Sequence, residues 1–171
     1  MERIGKIDEK EIFYLRSEDI DKYLNQLPQK NWLLFAIGNS NSEKEYRCLA
    51  DACIEKNVLY VCTAGKECKL IHDIFDAVDI ERLKRNGEYE KLGLSVYFVM
   101  TTWHGDFDEG LWFASTAAFS EFGEIEKIIC VDFTEKKVRN YISKLIEQIN
   151  TGWLPEDEEI TKEPLYDDEL N

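Results

Sequence analysis

The chain has 171 residues, 35 acidic against 21 basic, with a formal charge of −14. That balance argues against nucleic-acid backbones and anionic membranes as partners, because phosphate recognition needs a concentrated cationic surface. Length and a 44% hydrophobic share fit one globular domain rather than a disordered chain.

The acidity is uneven. Residues 155–171 hold eight acids against Lys162, a net of −7, while the other 154 residues hold 27 acids and 20 bases, also −7. The expected organisation is one α/β domain over 1–154 and an acidic, flexible tail over 155–171. Trp153 and Leu154 would pin the chain to the body before the tail, where Leu165 and Tyr166 are the apolar anchors.

In chain order, Met1 to Glu11 is mostly charged and lacks an apolar core of signal-peptide length, so the expected location is cytoplasmic. Glu11 to Leu15 reads as an edge strand, followed by a short helix after Ser17. Trp32 to Ile37 reads as a buried strand, stopped by Gly38-Asn-Ser-Asn-Ser42. Glu43 to Lys56 then carries Tyr46, Leu49, Ala50, Cys53 and Ile54 at helical spacing, with Ser42 as N-cap. Val58 to Cys62 is the next strand, and a helix follows with Leu70, Ile71, Ile74, Phe75 and Val78 on one face. A polar loop, Arg85 to Gly93, leads to a strand over Leu94 to Thr101. The segment from Asp108 to Phe119 reads as a helix whose small residues (Ala114, Ser115, Thr116, Ala117, Ala118) suit close packing on a sheet. Ile125 to Phe133 carries a further strand. Thr134 opens a last helix to about Asn150, with Val138, Tyr141, Ile142, Leu145, Ile146 and Ile149 forming an apolar face.

Strands separated by helices favour parallel pairing, so the expected fold is a three-layer α/β/α sandwich with a mainly parallel sheet of four or five strands. Ligands in such folds bind at the carboxyl ends of the strands. Four segments should meet there: 38–42, 62–66, 101–106 and 132–134.

None carries a recognised cofactor pattern. Gly38 to Ser42 has neither GxGxxG nor a Lys-Ser/Thr pair, and helix capping accounts for its polar residues. Cys62 beside Lys66 has the makings of an activated thiol, yet it continues an apolar run. Cys68 and His72 are one helical turn apart, but with Cys62 they make three ligands where structural zinc takes four. The expectation is no metal and no cofactor. The five cysteines, odd in number and set in apolar segments, read as reduced and mostly buried thiols.

Trp103-His-Gly-Asp-Phe-Asp-Glu109 is the segment richest in chemistry. His104 beside Asp106, or meeting Asp132 in the fold, has the composition of a general base with its orienting carboxylate. Asp106 and Glu109 also have the spacing of a helix-capping box. Trp103 and Phe107, ringed by Asp106, Asp108 and Glu109, have the composition of a hot spot for a cationic partner.

Three function classes follow. The leading one is an acidic intracellular protein-binding module for a basic protein partner, binding through Trp103, Asp106, Phe107, Asp108, Glu109 and Tyr166. Its sharpest form is an immunity or inhibitor protein that neutralises a basic toxin such as a nuclease. The second is a small hydrolase-like α/β enzyme using His104 with Asp106 or Asp132. The third is a regulatory or signalling α/β domain, although Gly38-Asn39 ends the first core strand where a phosphoacceptor domain presents acids.

Overall fold

The structure, a computed structural model, describes residues 1–38, 43–91, 96–134 and 138–155. Strand β1 (Glu2–Ile7) turns through Asp8, which takes a left-handed φ of 49°, into β2 (Lys10–Arg16). A 3-10 turn at Ser17–Asp19 and the one-turn helix α1 (Ile20–Tyr23) lead to β3 (Trp32–Gly38). Then come α2 (Glu43–Glu55), β4 (Tyr60–Gly65), α3 (Cys68–Arg85) and β5 (Met100–His104). The chain continues through α4 (Phe107–Thr116), β6 (Lys127–Asp132) and α5 (Arg139–Asn150). The sheet order is β1-β2-β6-β3-β4-β5, and every neighbouring pair except β1–β2 is parallel.

Side-chain alternation along the strands makes two cores. Leu33, Phe35 and Ile37 of β3 pack with Leu111 and Ala114 of α4 and Ile142, Leu145 and Ile146 of α5. Trp32, Leu34 and Ala36 pack on the opposite face with Tyr46 and Leu49 of α2 and Ile71 and Phe75 of α3. Helices on both faces explain why β3 is apolar at every position. The fold is the three-layer α/β/α sandwich, with six strands rather than four or five.

The extra strand is β1. Only Ile4 and Ile7 of its side chains join the core, and charged residues or glycine fill most other positions, so its apolar pattern is too short to announce a strand. Gly5 lets α5 approach, since a Cβ there would lie 3.0 Å from Ile146 Cγ2. With β1 outside it, β2 is an interior strand and not an edge.

The fifth strand begins at Met100 rather than Leu94; Leu94 and Ser95 themselves lie outside the described residues. The approach to it is bonded to α3 and to the loop before β4. Asp79 accepts the Val99 N–H at 2.9 Å, Arg82 donates to the Tyr97 carbonyl at 2.7 Å, and the Tyr97 hydroxyl donates to the Val58 carbonyl at 2.5 Å. Backbone groups satisfied this way need no ladder. Pairing therefore starts at Tyr60–Met100 and carries Thr102 to His104, beyond the expected end of the strand at Thr101, into the strand.

Helix α4 ends at Thr116, short of Phe119, and α5 is helical from Arg139 rather than from Thr134. Asn39 to Ser42 and the tail beyond Pro155, with Leu165 and Tyr166, lie outside the described residues. No described helix is long and apolar enough to cross a membrane.

Candidate functional site

Parallel pairing brings the carboxyl ends of β2, β6, β3, β4 and β5 to one rim. A single register row runs along it: Arg16, Asp132, Ile37, Ala64 and His104. Asp132 and His104 are thus three inter-strand spacings apart, about 14 Å. Ile37 and Ala64 stand between them, so no His104–Asp132 pair is assembled. Between β3 and β4 the rim is backbone against backbone, because Gly65 has a φ of +89° and a Cβ there would run into the Gly38 carbonyl.

Asp132 is fully buried and bonded on both oxygens. Oδ2 accepts the Tyr14 hydroxyl at 2.5 Å and an Arg16 guanidinium N–H at 2.9 Å. Oδ1 accepts the Thr134 N–H at 2.8 Å and its hydroxyl at 2.6 Å. Burial, then the bond to Asp132, pushes the Tyr14 hydroxyl well above its ordinary range. For Arg16, desolvation is the largest single influence and lowers the pKa. The bonds and charges of Asp132 and Tyr14 together outweigh it and raise the pKa above the ordinary guanidinium value. A carboxylate with this many donors closes β2, β6 and the start of the next segment together; it is a fastener of the fold. Tyr14 and Arg16 escape a sequence reading because 118 and 116 residues separate them from Asp132.

His104 lies under α4, 8% exposed. Gly110 makes this possible, since a Cβ at that position would lie 3.0 Å from His104 Cβ. The ring packs on Phe113 at 5.0 Å between centroids. Its Nδ1 faces Glu109 Oε1 at 3.6 Å, and its Nε2 shares a hydrogen bond with Thr102 Oγ1 at 3.2 Å. Thr102 Oγ1 also donates to Cys62 Sγ at 3.5 Å. Burial lowers the His104 pKa, opposed by Glu109. Burial also pushes the Cys62 thiol up to about 12, so this cysteine is a packed thiol and not an activated one.

The acids around His104 are engaged locally. Asp106 accepts the Glu109 N–H at 2.9 Å as the N-cap of α4. Asp108 accepts the Tyr141 hydroxyl at 2.6 Å, and Glu109 turns to His104. Phe107 is the first residue of α4 and packs edge-on against Phe35 and Tyr141, at 5.5 and 5.7 Å. Four of the five cysteines are buried, Cys48 is exposed, and all are free. Cys62 sits in the core beneath α4, whereas Cys68 and His72 belong to α3 on the other layer. Among the described residues, no three His, Cys, Asp or Glu side chains converge to hold a metal.

Trp103 stands apart. It is 52% exposed on β5, the last strand of the sheet, and its ring packs on His72 of α3 at 4.6 Å. His72 Nε2 lies 3.4 Å from Asp76 and 3.9 Å from Asp73, and Thr101 donates to Asp76 at 2.5 Å. Met100, at the start of the strand, is also exposed. The His72–Asp76 pair has the i, i+4 spacing of a helical ion pair, and that spacing is the signal by which sequence reasoning can find it.

A family model for a domain of unknown function (DUF7684) matches residues 11–149, from β2 into α5. The chain belongs to that family. Strand β1 and the tail lie outside the match. No curated protein and no solved structure matches the chain.

Proposed function

We propose that the chain is an acidic protein-binding module that engages a basic partner along β5. The observation that carries this reading is the exposed Trp103 on a terminal strand, beside the carboxylates of Asp73 and Asp76. The outer side of a terminal strand offers backbone donors and acceptors on which a partner strand can add. An indole supplies the contact area typical of binding hot spots, and the carboxylates steer a cation. In its sharpest form the partner is a basic toxin such as a nuclease, and the chain is the inhibitor that covers its cationic site. The enzyme reading draws less support, because His104 is buried with both ring nitrogens engaged.

The test is crosslinking in the native host from a photoreactive amino acid at Met100, with the same group at the exposed Leu154 as control. Met100 is expected to trap a basic protein, with yield falling as salt rises past about 0.15 M. Trp103→Ala should weaken that complex by about 2 kcal/mol, roughly thirtyfold. No trapped protein, an acidic one, or equal trapping from Leu154 overturns the reading.

A further inference from the structure

Beside β5, Asp76, Asp79, Ile80 and Leu83 of α3 face Phe98 and Val99 across an open cavity of about 170 Å³. Cofactor and metabolite sites run to roughly 300–1,000 Å³. This cavity is the size of one long side chain. Its floor is apolar, with Leu83 and Val99 buried. Asp79 is engaged, accepting from Arg82 at 2.8 Å and from the Val99 N–H at 2.9 Å. The Arg82 charge is also faced by Glu88 at 3.6 Å.

Asp76 differs from its neighbour. It accepts the Thr101 hydroxyl, yet 43% of its side chain stays in solvent. Among the described residues its ion-pair partner is the His72 imidazole and not a Lys or Arg. An apolar floor with a solvated carboxylate at the mouth complements a long aliphatic stem ending in a cation. A purely apolar side chain would strip water from that carboxylate without replacing the bond.

We propose that this cavity is a socket for a Lys or Arg side chain of an extended partner segment lying along β5, the stem over Ile80, Leu83 and Phe98 and the cationic head on Asp76. The proposal rests on the β5 reading above and names its recognition chemistry. Val99 and Trp103 are four residues apart, about 13 Å in an extended chain, and alternation puts them on the same face. Partner residues i and i+4 would therefore meet the socket and the indole.

The full chain is titrated with acetylated, amidated nonapeptides of alternating Thr and Val carrying Lys, Arg or norleucine at the centre. Methyl resonances of Ile80, Leu83 and Val99 and the Trp103 indole resonance are followed by NMR. The Lys or the Arg peptide is expected to shift the socket methyls saturably and to bind about tenfold tighter than the norleucine peptide. Asp76→Asn should remove that preference. Equal affinities, or a preference that survives Asp76→Asn, overturn the socket. Shifts at Trp103 without the methyls overturn the socket but leave β5 as the binding edge. Silence at both overturns the two readings together.

Discussion

The β6 part of the sheet's rim and the flank of the outer strand β5 use their carboxylates in opposite ways. At β6, Asp132 is sealed from water and bonded to Tyr14, Arg16 and Thr134. At β5, Asp76 keeps much of its surface in solvent beside an exposed indole. A buried charge survives only when its bonds are made internally, so the first carboxylate holds elements together. The second retains capacity for a cation from outside. The site suggested by fold geometry alone, the centre of the rim, is the closed one.

The contrast breaks most readily at the closed region. Asp132→Ala leaves the Arg16 guanidinium, only 17% exposed, without its carboxylate, and should cost about 3–5 kcal/mol in urea unfolding. A loss under about 1 kcal/mol would show that the cluster does not fasten the fold.

His104 gives an intermediate effect that depends on pH. Burial holds its folded pKa below the ordinary 6.5. The unfolded chain therefore takes up the proton first as pH falls. This contribution to stability is whole above 6.5 and is lost as pH drops through 6.5 toward the folded value. Stability measured across about pH 5 to 8 should fall toward acid more steeply in the native chain than in His104→Leu. Parallel curves would mean that the imidazole is not held neutral by the fold.

The smallest effect is expected at the open region. Trp103→Ala should change unfolding stability by no more than about 0.5 kcal/mol, despite the size of the residue removed. A loss above about 2 kcal/mol would make the indole a packing element and erase the difference between the two regions.

Much of the fold was legible because its signals are local. The apolar run at Trp32 to Ile37 and the apolar faces of α2 and α5 each lie within one element. The Asp106 cap on Glu109 was legible for the same reason, being three residues long. The chemistry was less so. His104 and Trp103 read as loop residues because the stretch before them begins its ladder late, held back by Asp79 and Arg82 from a different helix. The acids that make Trp103 to Glu109 look like one charged patch are divided by the structure among a cap, a tyrosine and a histidine.

Composition and spacing by themselves determined the fold class and the layering of helices on a mainly parallel sheet. They do so because periodicity is a property of the chain. Only the tertiary structure decided that Asp132 belongs with Tyr14 and Arg16, that Ile37 and Ala64 separate it from His104, and that Trp103 faces solvent beside Asp76. Strand order sets those neighbours, and residues more than a hundred positions apart leave no mark of it on the local pattern.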